Sequence, residues 1–347
     1  MKYRMPAEWE PHEATWIAWP HNLSHWPDKF EPIPVIYGKF VNILAESEEV
    51  FICVNDAKME ASAREHISAA GMKEPFSTIQ FFHIPTDASW SRDHGPIVVK
   101  NERGERIITD WIFNAWGNKY KPYDQDDVVP QKIGKILNIP VMQPGIVMEG
   151  GSIEVNGKGT LLTTTQCLLN KNRNPELTKA QIEAKLREYL GITNFLWLHE
   201  GIVGDDTDGH IDDIARFTDE RTVVCCVEEN KNDENYAPLQ ENFSLLRTMK
   251  DQDGQPLNVV ALPMPAPVVQ DGQRLPASYA NFYIANTVVV VPTFRCSQDS
   301  LAIEVLQKLF PTRKVIGIDC VDLVWGLGTL HCSTQQWPLP LADGTSP

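Results

Sequence analysis

Nothing in this 347-residue sequence reads as a metal framework or a disulfide scaffold. Its seven cysteines, at 53, 167, 225, 226, 296, 320 and 332, are odd in number and irregularly spaced. No CxxC pair occurs among them, which argues against a zinc ribbon and a thioredoxin-type redox site. A chain this long buries a large core without such staples. Positive charge is also scarce: Lys and Arg total 31 against 46 Asp and Glu, a formal net charge of −15. An acidic surface repels nucleic acid and anionic membranes. It suits a cationic small molecule, although acidity by itself is commonplace. No run approaches the roughly 18 apolar residues of a membrane span, and the first 19 residues hold no stretch of signal-peptide kind. The expected compartment is therefore the cytoplasm. No low-complexity segment or charge block divides the chain, so one domain spanning residues 1–347 is expected, with a loose tail from Pro338 to Pro347.

What is present is a recurring arrangement. Strand candidates come in pairs: 97–99 with 107–111, 152–155 with 160–164, 214–217 with 222–227, and 282–284 with 287–292. The second pair turns through Asn156-Gly157, a strong hairpin signal. Helices intervene. Over 178–190, Ile182, Leu186, Tyr189 and Leu190 share a face, Thr178 and Gln181 make a capping box, and Gly191 stops the helix. Over 300–309, Leu301, Ala302, Val305, Leu306 and Leu309 share a face, and an apolar strand over 314–319 follows. Residues 251–273 read as a long loop. Each strand pair starts beside a short polar motif, near Asp93, Glu149, His210, Asn281 and Cys332. Such a period predicts an α/β repeat fold closed around an axis, with the polar motifs gathered at one end. An open α/β sheet is the competing architecture.

Cys332 sits in Gly326-Leu327-Gly328-Thr329-Leu330-His331-Cys332-Ser333-Thr334-Gln335-Gln336. Its setting is glycine and hydroxyl residues, unlike the apolar surroundings of Cys53, Cys225, Cys226 and Cys320. A nucleophile and a small buried hydrophobe are both open readings. In Asp205-Asp206-Thr207-Asp208-Gly209-His210-Ile211-Asp212-Asp213, a strand would place His210 and Asp212 on one face. The alternative is an exposed acidic loop. So many acids repel one another unless a cation sits among them, and the oxygen spacing is wrong for a hard-metal loop. Trp90-Ser91-Arg92-Asp93-His94-Gly95-Pro96 offers either a ligand-binding carboxylate or a structural Arg–Asp pair. Glu149-Gly150-Gly151 offers a carboxylate at a strand mouth or a plain turn, and Trp116 a pocket wall or a core residue.

Together these segments supply Cys, His, Glu and two Asp. That set answers a specific problem, because a guanidinium is delocalised, cationic and resistant to attack. Two carboxylates can clamp its N–H groups by charge-assisted hydrogen bonds and aim its central carbon at a thiolate. The guanidinium charge, or a protonated histidine, favours the thiolate. A histidine with a carboxylate partner can protonate departing ammonia and then activate water.

With these residues in view, the sequence resembles the agmatine deiminase and bacterial-type peptidylarginine deiminase family of the guanidino-group-modifying, or pentein, superfamily. The resemblance runs from Met5-Pro6-Ala7-Glu8-Trp9-Glu10-Pro11-His12-Glu13, through Trp16-Ile17-Ala18-Trp19-Pro20, to Gln336. It implies a five-bladed α/β propeller of ββαβ units with pseudo-fivefold symmetry. It also implies a nucleophile at Cys332, a general acid/base at His210, guanidinium-binding carboxylates at Asp93 and Asp212, and an assisting carboxylate at Glu149. Trp90 and Trp116 resemble pocket tryptophans. No cofactor and no metal are implied; the partner is a small cationic guanidino substrate. The implied reaction converts agmatine to N-carbamoylputrescine and ammonia through a covalent thiouronium intermediate. Around the nucleophile, Leu327, Thr329, Leu330 and Ser333 depart from the usual Gly, Asn, Ile and Ile. Gly117-Asn118-Lys119-Tyr120 replaces a Gly-Gly-Leu-Tyr stretch. These departures touch the pocket for the substrate's tail. Peptidyl or free arginine is the second substrate reading, and a propeller-like binding protein without activity is the reading from another class.

Overall fold

The computed structural model describes residues 3–340. A ββαβ order recurs through it. Ile97–Asn101 pairs antiparallel with Arg106–Thr109, the chain passes through the helix Val129–Leu137, and Val141–Met142 returns parallel to Arg106–Thr109. The same order links Ile153–Val155, Thr160–Thr164, helix Lys179–Leu190 and Asn194–Leu198. It recurs in Ala215–Phe217, Thr222–Val227, helix Tyr236–Leu246 and Asn258–Pro263. A fourth unit joins Tyr283–Ile284, Val288–Thr293, helix Gln298–Leu309 and Lys314–Asp319. The fifth is built from both ends of the chain. Thr334–Pro338 lies antiparallel to His12–Ala18, which runs through helix Pro32–Ala45 to the parallel strand Glu49–Val54.

The local chemistry explains these elements. In Lys179–Leu190 the Thr178 side chain accepts from Gln181 N, and the Gln181 side chain accepts from the Thr178 backbone. Gly191 closes the helix at φ +73°, in the left-handed region. Ile182, Leu186 and Leu190 are buried on one stripe, each contributing about 1.5–3 kcal/mol of hydrophobic stabilisation. The central strands of the units are Val-, Ile- and Leu-rich because both faces are covered. Val288–Thr293, for example, has five successive buried residues.

Four expectations need correction. Residues 251–273 are not a plain loop: Asn258–Pro263 completes the third sheet beside Thr222–Val227, its short apolar run hidden among flanking turn residues. Leu301 is half exposed, because the buried stripe of its helix passes through Ala302 and Leu306; one residue is about 100° of helical rotation. His210 and Asp212 do not share a strand. Residues Ile211–Asp213 form one turn of 3₁₀ helix, and the strand begins only at Ala215. Pro338 is a strand residue, and Leu339 N donates to Pro11 O at 2.9 Å. The rest of the expected tail, from 341 on, lies outside the described residues.

Candidate active site

Asp93, Glu149, His210, Asn281 and Cys332 each lie two to five residues ahead of the first strand of a unit. Short turns at these points swing the side chains off the sheets and towards one another. Asp93 is in the one-turn helix Ser91–His94, and Glu149 precedes the turn Gly150–Ser152. The backbone that joins them is glycine for a steric reason. An ideal Cβ on Gly151 would stand 2.5 Å from His210 Nδ1 and 2.8 Å from Asp93 Oδ1. Gly151 N–H donates to Asp93 Oδ1 at 3.0 Å.

The structure thus brings Cys332, His210, Asp93, Asp212 and Glu149 together, all buried. His210 Nδ1 stands 3.7 Å from Asp93 Oδ1 and 3.9 Å from Asp212 Oδ1. Cys332 Sγ stands 3.8 Å from Asp212 Oδ2. Asn281 ties the pieces together. Its Nδ2 donates to Asp213 Oδ1 (2.9 Å) and Cys332 Sγ (3.1 Å), while its Oδ1 accepts from Thr329 Oγ1 (2.7 Å) and from the His331 and Cys332 amides (3.1 and 3.3 Å).

Charge in this enclosed space is unbalanced. Burial, and the carboxylates of Asp212, Asp213 and Asp93, push the Cys332 thiol well above its ordinary range. Burial also raises Asp93, helped by Asp212 and Glu149. Burial alone would push the His210 imidazole down, but the Asp93 carboxylate, the Cys167 sulfur and the Glu149 carboxylate outweigh it and hold it well above the usual histidine value. Asp212 behaves differently. Burial works against its charge, yet His331, His210 and Arg216 keep its carboxyl below the ordinary value. Added positive charge is what this site lacks, and it would favour a thiolate at Cys332.

A cleft of about 710 Å³, counted to its open mouth, leads to Cys332 and Asp93. Trp90, Trp116, Tyr120, His25 and Trp325 line its walls, and Asp206 stands among them. Trp116 is both wall and anchor: its Nε1 donates to Asp93 Oδ2 at 2.9 Å. The turn that aims it holds Trp116 at φ +55°, which costs an L-residue about 1–2 kcal/mol. The Asn114 side chain secures this turn by accepting from Gly117 N at 2.8 Å. Trp90 rests on Gly328, where a Cβ would stand 2.9 Å from the indole ring and 3.1 Å from Cys332 Cβ.

Several partners escaped the sequence. Arg92 does not pair with Asp93; its guanidinium reaches Glu8 Oε2 (3.2 Å) and Gln336 Oε1 (2.6 Å). His331 bridges Asp212 Oδ2 (2.7 Å) and Glu8 Oε2 (2.8 Å). Arg216 pairs with Glu8 (2.9 Å) and Glu154 (2.9 Å). The acidic loop already holds cations of its own. Arg173 binds Glu149 Oε1 (2.6 Å) and Asp208 Oδ2 (2.7 Å), and Lys119 binds Asp208 Oδ1 (2.8 Å). Asp205 is satisfied by the amides of Thr207 and Gly209. Arg216 carried the one available signal, a charge in the buried strand Ala215–Phe217.

The family model for Porphyromonas-type peptidyl-arginine deiminase matches residues 4–338. The chain belongs to that family. It is a hydrolase acting on an amidine C–N bond. It is 37% identical over 361 aligned residues to an agmatine deiminase of Ectopseudomonas mendocina, covering 97% of this chain and 96% of that one. Its fold is similar to the solved agmatine deiminase of Enterococcus faecalis, with a TM-score of 0.91 and 35% identity, over 97% of this chain and 96% of that one. It is also similar to a substituted agmatine deiminase of C. jejuni solved with substrate bound, with a TM-score of 0.89 and 33% identity, over 98% and 97% of the two chains. Among the described residues, no helix is long and apolar enough to cross a membrane.

Proposed function

We propose that this protein hydrolyses agmatine to N-carbamoylputrescine and ammonia, with Cys332 as nucleophile. The observation that carries the substrate is the cleft. A cationic guanidinium at its floor meets Asp93 and Cys332, with the Asp212 carboxylate 3.8 Å from the Cys332 sulfur. A second cation at the far end of a flexible chain meets aromatic rings and the Asp206 carboxylate. No Lys or Arg is among the residues that line it, and Lys119 beside it is engaged by Asp206 O and Asp208, so the carboxylate of free arginine is poorly served there. The relatives named agmatine deiminase point the same way.

The steps follow from the charges. Asp93 and Asp212 hold the guanidinium N–H groups. Its positive charge offsets the acids around Cys332, and the thiol releases its proton to solvent to become a thiolate. Sulfur bonds to the guanidinium carbon, and the C–N bond breaks as the His210 imidazolium gives its proton to departing ammonia. His210, now neutral, takes a proton from water, which attacks the thiouronium carbon. The C–S bond breaks, Cys332 leaves as thiolate, and the adduct's hydroxyl gives its proton to the released ammonia as the neutral ureido product forms. Glu149, held by Arg173, steadies the charge on His210. Tyr120 Oη donates to Asp206, which fixes that carboxylate for the substrate's distal amine.

The five ββαβ units are the blades of a closed propeller in this reading, and residues 1–347 form one catalytic domain. The pairing of Thr334–Pro338 with His12–Ala18 supports closure, since both chain ends share a sheet. A metabolite such as agmatine makes the cytoplasm the working compartment. Rapid acid quench of the protein turning over agmatine, followed by peptide mass analysis, tests the chemistry. The peptide carrying Cys332 is expected to gain the mass of agmatine less ammonia. An adduct on another residue would replace the nucleophile, and turnover with no adduct at any quench time would favour direct attack by water.

A further inference from the structure

Behind His210 sits a second thiol, which the deimination steps leave unused. Cys167 lies at the end of the turn that follows Thr160–Thr164, and it is fully buried. One ligand atom from each of Cys167, Glu149 and His210 lies within 4.8 Å of the others, and all three residues are buried. One of these groups carries an atom without a partner: Arg173 occupies Glu149 Oε1 alone, and Glu149 Oε2 has no hydrogen-bond partner. His210 Nδ1 has only the longer contacts to Asp93 and Asp212, 3.7 and 3.9 Å, and the imidazole faces the Cys167 sulfur. Buried polar atoms in this state are costly and mark a place where something else binds.

We propose that Cys167, Glu149 and His210 form an inhibitory site for a soft divalent cation, best matched by Zn²⁺. A thiolate, an imidazole and a carboxylate are its preferred donors, with one position left for water. Tetrahedral Zn²⁺ wants its ligand atoms about 3.3–3.5 Å apart, so groups within 4.8 Å of one another need close by at most about 1.5 Å. Binding displaces two protons to solvent, one from the Cys167 thiol and one from the His210 imidazolium, which ligates as neutral imidazole. The Zn²⁺ charge is offset by the Cys167 thiolate and the Glu149 carboxylate, and the Arg173 guanidinium on Glu149 Oε1 is set against the Asp93 and Asp212 carboxylates beside His210. Harder ions such as Mg²⁺ and Ca²⁺ require more oxygen ligands than the cluster offers. The consequence for activity is direct, because a metal-bound His210 can neither protonate ammonia nor deprotonate water. This last consequence rests on the deiminase reading; the metal site itself does not.

Full-length Cys332→Ala protein removes the competing thiol and isolates the site. Titrated with Zn²⁺ in a calorimeter, it is expected to take up one equivalent. Adding Cys167→Ser is expected to weaken that binding at least ~10-fold. Loaded with Co²⁺ instead, Cys332→Ala is expected to show a thiolate-to-cobalt absorption band that Cys167→Ser abolishes. Should Cys167→Ser fail to fold, Glu149→Gln is the second variant and is expected to weaken Zn²⁺ similarly. Zn²⁺ binding that is absent in Cys332→Ala, or unchanged by these substitutions, overturns the site. Wild-type ammonia release from agmatine is expected to fall on adding Zn²⁺ and to return with a chelator. If Zn²⁺ binds as described but wild type never turns over agmatine, the deiminase reading fails and the metal site stands.

Discussion

Gly151 owes its identity to three neighbours. Its backbone passes so close to His210, Asp93 and Asp212 that any side chain would have to displace them. Its φ is not in the left-handed region, so alanine is conformationally acceptable there and the whole penalty falls on the site. Gly151→Ala is expected to leave a folded protein by circular dichroism and to lower kcat with agmatine about 100-fold, the usual consequence of a misplacement near 1 Å. A fall below about threefold, far short of that loss, would show that the site can give way. Cys332 makes a second prediction at this scale. Its thiol is held above the ordinary range by burial and by Asp212, Asp213 and Asp93, so deprotonation in the free protein requires alkaline pH. Alkylation of Cys332 by iodoacetamide is expected to accelerate as pH rises, with a midpoint above the free-thiol value of about 8.5. A midpoint near neutral pH would mean that the thiolate forms without a substrate cation.

At the scale of elements, the helices were the more legible part. The capping box of Lys179–Leu190 and its Gly191 stop were readable because both act within a few residues. Thr178→Ala is expected to lower stability by about 1 kcal/mol in urea unfolding, with kcat unchanged because the helix lies away from the cleft. A change in kcat would couple that helix to the site. The strand Asn258–Pro263 was not legible: only its parallel pairing to Thr222–Val227 reveals it. The 3₁₀ turn Ile211–Asp213 was missed for a related reason. Both strand and turn suit Ile-Asp-Asp, and the decision is made by partners distant in sequence, such as Asn281 and His331.

Across the whole molecule, motif spacing along the chain exposed the polar groups that cluster at the cleft but not what holds them. Cys332, His210, Asp93, Asp212 and Glu149 stand out because polar residues ahead of apolar strands are conspicuous. Their supports include pairs 84 and 323 positions apart, Arg92–Glu8 and His331–Glu8, and no periodicity reports such pairs. Glu8 is the common partner. Burial works against its charge, but Arg216, His331 and Arg92 hold its carboxyl well below the usual value. The stability it contributes is therefore full above the ordinary carboxyl pKa of about 4.3 and is lost only as pH falls through the lower folded value. This scaffold fixes one side of a cleft that ends in an aromatic-walled carboxylate, and the central claim concerns what that cleft accepts. The most direct measurement is ammonia release from agmatine and from free arginine, by wild type and by Cys332→Ala. Wild type is expected to release one ammonia per agmatine and very little from arginine, and Cys332→Ala none from either. Ammonia from arginine at an equal kcat/KM, or from the Cys332→Ala protein, would contradict the account.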